Sequence, residues 1–415
     1  MSTRTIAARK TDPSTSVRRG LVVRIEAGPG GAKSEESAAG PVVIGRADGV
    51  EIRVADPKVS QFHAELDATD EGVIVKDLGS TNGTWLGEVA VERAVVPAGS
   101  QLRIGDTTLV VDLGPPAPPR RSKATAFGPL VGASAVMRET YAHLERLAAS
   151  HDPVLLEGEP GTGKSIAARA LHENGPRKDK AFIVVDCVAL APNVAAALFA
   201  RGPDGVFTAA AGGTMFFDEI AVLSPDLQEK LRVAIAEHEE DVRFLCSTSR
   251  RLRELVNGGG FSEDLYLQLA KARVKLPALR EHAEDIKPLV QHFLTLIPEG
   301  EEVVRAIDAG ALDTLVRRNY AGNVRELRHI VERAARLAEG GSVTADDVAF
   351  ERMIDAPIEP FKEAKRTIVD EFERDYLARL LARSGTNVSR AAALAGIERQ
   401  SLRDLLKRHG LRDEG

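Results

Sequence analysis

At 415 residues, with 43% hydrophobic and 28% charged side chains, the chain has the composition of a globular protein with room for two to four domains. A net charge of −6 excludes a protein that coats nucleic acid over its whole surface, but leaves room for one local basic module. No 18-residue apolar run and no apolar segment near the start point to a membrane span or secretion signal, so the expected compartment is the cytoplasm with no membrane partner. Cys187 and Cys246 sit in apolar runs and read as reduced core residues, and the nine histidines show no ligand spacing.

Residues 1–20 read as a flexible tail. Over 21–113, apolar and polar positions alternate (VVRIEA, PVVIGR, GVIVKDL, QLRIGDTTLVVDL) between Gly, Asn and Asp turns, which predicts an all-β sandwich. Within it VIGR at 43–46, SQFH at 60–63, DLGSTNGT at 77–84 and LRIGD at 102–106 resemble the forkhead-associated (FHA) family. That resemblance implies a phosphothreonine-protein partner read by loops at one end of the sandwich. A dianionic phosphate needs a guanidinium and neutral donors; Arg46, Ser60 and Thr81 match those positions, and Asn82 the grip on the peptide backbone. His63 and Gly45 are expected to be architectural, a loop brace and a tight turn, and Trp85 to pack at the loop's edge. Gln61 replaces an arginine the family often has beside the phosphate, and TWLGE lacks the usual asparagine. The competing reading is an FHA fold used only for docking or dimerisation.

The segment 114–128, GPPAPPRRSKATAFG, is Pro-rich and basic and predicts an extended, exposed linker. From 129 to 350 strand runs alternate with helical periods, which predicts a parallel sheet in α/β style, with an all-helical final part from about 282. GEPGTGKS at 158–165 satisfies the phosphate-loop pattern. Gly158, Gly161, Thr162 and Gly163 let backbone N–H groups surround phosphates, Lys164 reaches the β/γ oxygens, and the Ser165 hydroxyl suits Mg²⁺. In GGTMFFDEI an apolar strand ends in Asp218, placed for the metal, and Glu219, placed to polarise an attacking water. ATP and Mg²⁺ are the expected ligands.

Together with LVGASAVMRE at 130–139, AFIVVDCVAL at 181–190, LPALREHAEDI at 276–286 and YAGNVREL at 320–327, these motifs resemble the AAA+ domain of bacterial sigma-54-dependent activators. The resemblance implies a ring-forming homo-oligomeric ATPase that remodels sigma-54 RNA polymerase, with Arg325 as the lid arginine that senses the γ-phosphate. The chain departs from the family in four places. ALFARGPDGVFTAAAGGT leaves seven residues between Phe199 and Phe207, so the sigma-contacting GAFTGA loop is expected to be deleted. FSEDLYLQL carries Ser262 and Gln268 where the family has two arginines acting in the neighbouring subunit; Arg273 or Lys271 are candidate substitutes. Ser249 replaces a sensor asparagine, and Asp186 an asparagine that restrains the catalytic glutamate. ATP binding is therefore expected, and hydrolysis doubtful.

After a short joint at 351–360, residues 361–415 predict an all-α helix-turn-helix. Ala391–Ala395 form a small-residue first helix, Gly396 turns the chain with positive φ, Ile397 plugs the core, and a second helix begins near Glu398. Leu402, Leu405 and Leu406 face inward, which leaves Arg399, Gln400, Ser401 and Arg403 for a DNA major groove and Arg390 and Lys407 for its backbone. Residues 386–410 hold five Lys/Arg against two Asp/Glu. The stretch resembles the Fis-type domain that ends this activator family. Ile368, Phe372, Tyr376 and Leu380 recur every four residues, as a dimerising helix would.

The chain thus reads as a multidomain regulator: an all-β FHA sandwich, an α/β P-loop AAA+ domain with helical lid, and an all-α helix-turn-helix on promoter or enhancer DNA. With no receiver domain ahead of the ATPase, a Ser/Thr kinase is the expected input rather than a histidine kinase. Two alternatives stay open: a non-hydrolysing assembly switch or repressor that does not engage sigma-54, and a phosphoprotein scaffold.

Overall fold

The computed structural model describes residues 18–37, 40–117, 120–190, 205–237, 241–297, 306–338 and 341–348, then Glu373, Leu377, Leu380, 388–397 and 399–408. The chain divides into two compact units, Met1–Val348 and Ala349–Gly415. Among the described residues no helix is long and apolar enough to cross a membrane.

The amino-terminal sandwich has two sheets. One contains β1 (Arg18–Ala27), β2 (Lys33–Ser37), β7 (Thr84–Leu86), β8 (Val89–Ala90), β10 (Ser100–Ile104) and β11 (Thr107–Ala117), in the order β2-β1-β11-β10-β7-β8. The other holds β3 (Val42–Gly45), β4 (Ile52–Arg53), β5 (Ala64–Thr69), β6 (Gly72–Asp77) and β9 (Arg93–Val96), in the order β4-β3-β5-β6-β9. Alternation in β5 (AELDAT) buries every second residue, and Leu21, Val23, Leu66, Val73, Val75, Leu102 and Val111 close the space between the sheets.

The sandwich is longer than the sequence pattern indicates. Arg18 pairs with Ala117 and Arg19 with Pro116, so residues 18–20 belong to a strand rather than to the tail, and 114–117 to its partner rather than to the linker. Of the rest of that linker, residues 120, 123–126 and 128 are exposed, but three others are anchored. Arg121 pairs with Glu139, Ser122 is buried with its hydroxyl on Glu145, and Phe127 is buried. Helix α1 (Ala135–Ala148) presents those carboxylates, and of the basic residues that signalled a linker Arg121 is its partner.

After a short antiparallel pair, β12 (Ala126–Phe127) and β13 (Leu130–Val131), the central domain is a parallel five-stranded sheet, β15 (Phe182–Asp186), β16 (Thr214–Asp218), β17 (Arg243–Thr248), β14 (Val154–Glu157) and β18 (Ala272–Lys275), in that spatial order. Its middle strands are near-continuous apolar runs, as strands covered on both faces require. Helix α2 (Lys164–Glu173) follows β14 and packs its alanines and Leu171 on the sheet. The short α3 (Val206–Ala209), α4 (Pro225–Glu237), α5 (Leu252–Asn257) and α6 (Glu263–Leu269) pack on the opposite face, against Leu155, Met215, Phe217 and Cys246. A helical lid follows: α7 (Ile286–Leu296), α8 (Ala309–Arg317) and α9 (Asn323–Leu337), around Val290, Leu315, Leu327 and Ile330. Asp285 ties lid to base by accepting the Ala133 and Ser134 N–H groups at 2.7 and 2.9 Å and the His282 ring at 3.1 Å.

The sequence separates sandwich and central domain into two blocks, yet they share a core. Val43, Ala47, Phe62 and Leu78 of the sandwich join the apolar cluster of β16, β17, α5 and α6. Phe62 meets Tyr266 edge-on at 4.9 Å, and Asn257 donates to the Phe62 and Leu78 carbonyls at 2.6 and 2.9 Å while accepting the Phe62 N–H. Arg253 adds a pairing with Glu65 at 3.4 Å. Periodicity within each block carries no trace of this contact.

Candidate functional site

The phosphate loop joins the end of β14 to α2, whose first helical residue is Lys164. Gly161 has φ 79°, and a Cβ there would lie 2.0 Å from the Gly322 carbonyl oxygen of the lid, so only glycine fits. Gly163 caps the helix without a side-chain acceptor, so the first-turn N–H groups stay available to an anion. The Thr162 hydroxyl donates to the Glu159 carbonyl at 2.9 Å and braces the loop from within.

Lys164 is buried, and its ammonium reaches the Gly158 and Glu159 carbonyls at 2.9 and 3.2 Å and Glu219 at 3.1 Å. Ser165 Oγ donates to Asp218 Oδ2 at 2.8 Å. A hydroxyl and a carboxylate that close, beside the phosphate loop, are the donor set a hard dication uses. Glu219 stands in the left-handed region (φ 55°, ψ 50°), which costs about 1–3 kcal/mol in a non-glycine residue. Its N–H donates to Ser247 Oγ at 2.9 Å, and its carboxylate accepts the N–H and hydroxyl of Ser249, each at 2.8 Å. Burial alone would raise the Glu219 carboxyl, but the Ser249 donors and Lys164 outweigh it and hold it below the usual range.

Glu219 is therefore restrained by Ser249, expected at the sensor position, whereas Asp186, which stands where the family's restraining asparagine is expected, accepts the Val188 and Ala189 N–H groups. Ser247, which also hydrogen-bonds Asp218, was not among the expected site residues. Its signal is weak: a serine one step from the end of a buried strand usually only ends the strand. Arg325 enters the site through its backbone, N–H to the Gly161 carbonyl at 3.2 Å, with its side chain exposed. Asn323, also unforeseen, donates to Glu159 and Pro160 at 3.2 and 3.0 Å and accepts the Leu279 N–H at 2.9 Å. Arg280 grips Glu159 from the lid with two hydrogen bonds, and with Asn323 it pulls that carboxyl down to about 2.

Both positions expected to lack arginines are half-buried. Ser262 caps α6, its hydroxyl accepting the Leu265 N–H at 3.3 Å, and the Gln268 amide oxygen is buried. Arg273, a candidate substitute, lies 3.5 Å from Glu157 on the adjacent strand. The expected loop deletion falls largely on 191–204, outside the described residues. Beyond them, Phe207 is buried against Phe244 at 6.2 Å and Ala210 is fully buried, so the FTAA run is anchored in the core at both ends, with Thr208 and Ala209 exposed between them.

On the sandwich, Arg46, Ser60, Thr81 and Asn82 come together at one end. The Arg46 N–H donates to the Ser60 carbonyl at 3.0 Å, and Ser60 Oγ accepts the Thr81 N–H at 3.0 Å. Asn82 donates to the Lys58 carbonyl at 2.7 Å, and Trp85 braces this loop from its indole N–H to the Asn82 carbonyl at 2.9 Å. His63 accepts the Ser60 N–H at Nδ1, which leaves Nε2 to donate to the Gly83 carbonyl at 3.2 Å. Burial keeps its pKa below the ordinary value, so it is a neutral brace. Gly45 is not a tight turn: it ends β3, and a Cβ there would lie 2.1 Å from the Gln61 carbonyl oxygen, so the glycine permits close approach of the Gln61 loop to that strand.

In the second unit, α10 (Val388–Ala395) and α11 (Arg399–Arg408) flank Gly396, whose φ is 67°. Leu402 and Leu406 are buried with Leu377, Leu380, Ala391 and Ala392, and Leu405 packs against them. Ile397 does not plug this core. It is 38% exposed, because the turn after Ala395 carries it outward and Leu377 and Leu380 fill the space. Arg399, Gln400 and Ser401 are exposed, while Arg403 is half-buried. Ile368, Phe372, Tyr376 and Glu398, and the side chains of Arg390 and Lys407, lie outside the described residues.

Family models match four segments: an FHA domain at 42–105, a Sigma-54 interaction domain at 130–275, an AAA+ ATPase lid domain at 280–362, and a bacterial regulatory protein of the Fis family at 368–409. The chain is 33% identical over 310 residues to the transcriptional regulatory protein ZraR of Salmonella typhimurium, covering 69% of this chain and 70% of ZraR. It is 35% identical over 251 residues to the Nif-specific regulatory protein of Azospirillum brasilense, covering 55% of this chain and spanning 40% of that protein's length. The crystal structure of NtrX from Brucella abortus in complex with ADP is 31% identical and covers 68% of this chain and 69% of that one, at a TM-score of 0.50.

Proposed function

The chain belongs to the sigma-54-dependent transcriptional regulators, and from that premise we propose that it is a DNA-bound, phosphothreonine-responsive regulator whose AAA+ domain binds Mg·ATP as an assembly switch. One arrangement carries this reading: Lys164 beside Glu219, with Ser165 beside Asp218, at the mouth of a glycine loop. Lys164 and the α2 N-terminus would bind the phosphates, and Ser165 and Asp218 would hold Mg²⁺, which supplies charge neutralisation at the β/γ oxygens. Glu219, held by Ser249, keeps the geometry of a water-polarising base.

Transfer of a γ-phosphoryl group nevertheless gains orders of magnitude from an arginine delivered by a neighbouring subunit. Ser262 and Gln268 carry no such charge, and Arg273 faces Glu157. The burial of Phe207 and Ala210 also weighs against a free sigma-contacting loop at the FTAA run. ATP thus sets homo-oligomeric state and DNA affinity rather than driving a motor. The Fis-type domain places the protein on promoter or enhancer DNA, and the FHA domain reads the phosphothreonine of a partner.

Steady-state ATP turnover over a range of protein concentrations, paired with sedimentation with and without Mg·ATP, tests the switch. ATP-dependent mass without turnover is the expected result. Turnover that rises with concentration and vanishes in Lys164→Ala would restore the motor.

A further inference from the structure

The phosphate-reading end of the sandwich is not built from the sandwich alone. Gln61, between Ser60 and Phe62, donates from its side-chain amide to Glu263 of α6 at 2.7 Å. Beside it, a Cβ on Gly49 would strike Leu267 of the same helix at 2.4 Å. Asn257 and the Phe62–Tyr266 contact fix α5 and α6 against this edge, so Glu263 is held in place by an apolar interface. The Arg46 and Gln61 loops are joined by backbone bonds, Arg46 N–H to Ser60 and Ala47 N–H to Gln61.

We propose that Glu263, contributed by the ATPase domain, is a specificity-determining residue of the FHA site and selects phosphothreonine peptides with a Lys or Arg beside the phosphorylated residue. The inference rests on the phosphothreonine reading given above. Arg46, Thr81 and Asn82 are exposed, so a phosphate can reach them without disturbing the domain contact. On arrival the phosphate engages Arg46, whose field also acts on Glu263. Burial raises the Glu263 carboxyl above its usual range, and Asp264 and Asp48 add to this, more than Arg46 offsets. A cation in the peptide would relieve that imbalance, whereas an acidic neighbour would deepen it. Gln61 fits the arrangement: its neutral amide steadies Glu263 by hydrogen bonding without neutralising it, as an arginine would.

The test is selection from a phosphothreonine peptide library, degenerate at the flanking positions, by the full-length protein. Wild type is expected to enrich Lys or Arg at one flanking position by about three- to ten-fold, the effect of one half-exposed charge pair. Glu263→Gln should keep phosphate-dependent binding and lose that enrichment. Asn257→Ala, which loosens the domain contact without touching the charge, should also reduce it. Arg46→Ala should lose all phosphopeptides. Basic enrichment that survives in Glu263→Gln, or is absent in a wild type that still binds phosphopeptides, overturns the role of Glu263. Failure of wild type and Glu263→Gln alike to retain phosphopeptides overturns the FHA reading itself.

Discussion

The Lys164 ammonium lies 3.1 Å from the Glu219 carboxylate, so the cation that would bind phosphate is engaged with the base that would polarise water. ATP phosphates would draw Lys164 away from the Gly158 and Glu159 carbonyls and leave Glu219 to Ser249 alone. Lys164→Ala removes the buried cation and is expected to weaken Mg·ATP binding at least ten-fold, as loss of a desolvated charge-assisted contact requires. Titration with a fluorescent ATP analogue measures this, and phosphopeptide binding should persist because the FHA core does not use Lys164. Unchanged ATP affinity would move the nucleotide site elsewhere.

Gly161 tests how closely lid and phosphate loop fit. In Gly161→Ala the new methyl group would meet the Gly322 carbonyl oxygen and a positive φ at once, so the lid must lift. The expected outcome is a loss of stability of about 1–3 kcal/mol, the cost of a strained backbone position, together with weaker ATP binding. Thermal melts with and without Mg·ATP read both. A variant that melts like wild type and binds ATP normally would show that lid and loop do not stay in contact.

The phosphate loop, the DE strand and the four FHA motifs were legible in the sequence because each is short, local and chemically constrained. Gly161, Lys164 and Asp218 announce themselves by spacing, and Gly396 by its place between two helical periods. What the sequence did not carry were contacts between distant segments. Asn257 and Glu263 lie on ordinary helical stretches, and nothing in their neighbours marks them as partners of Phe62 and Gln61, 195 and 202 residues away. The anchoring of the linker escaped the sequence for the same reason. Arg121 and Ser122 look like solvated residues until α1 supplies Glu139 and Glu145.

Asp285 gives the protein an acid-sensitive joint. Burial would raise its carboxyl, but His282 and the Ala133 and Ser134 donors outweigh burial and lower its pKa. A carboxylate depressed in the folded state contributes stability that is fully present above its unfolded pKa of about 4 and is lost as pH falls through the folded value. Urea midpoints should therefore drop below about pH 4 in wild type. Asp285→Asn should be less stable at pH 7 by about 1–3 kcal/mol and show a shallower drop in acid. Equal slopes for the two proteins would mean that another carboxylate controls the transition.

Arg399 tests the DNA face. It opens α11 and is exposed beside Gln400 and Ser401, the placement from which a recognition helix addresses base edges or phosphates. The protein as a whole is acidic, so binding must come from a local surplus of charge, and salt will screen it strongly. Arg399→Ala is expected to cost about 1–3 kcal/mol at a specific site, measured by footprinting on promoter fragments at fixed salt. If Arg399 contacts a base, the loss appears as relaxed sequence preference with little change in salt slope. If it contacts phosphate, all sequences weaken together and the slope of log K against log salt falls by about one. Footprints of wild-type strength from the variant would remove Arg399 from the interface and leave α11 as the core-packing helix that Leu402 and Leu406 already make it.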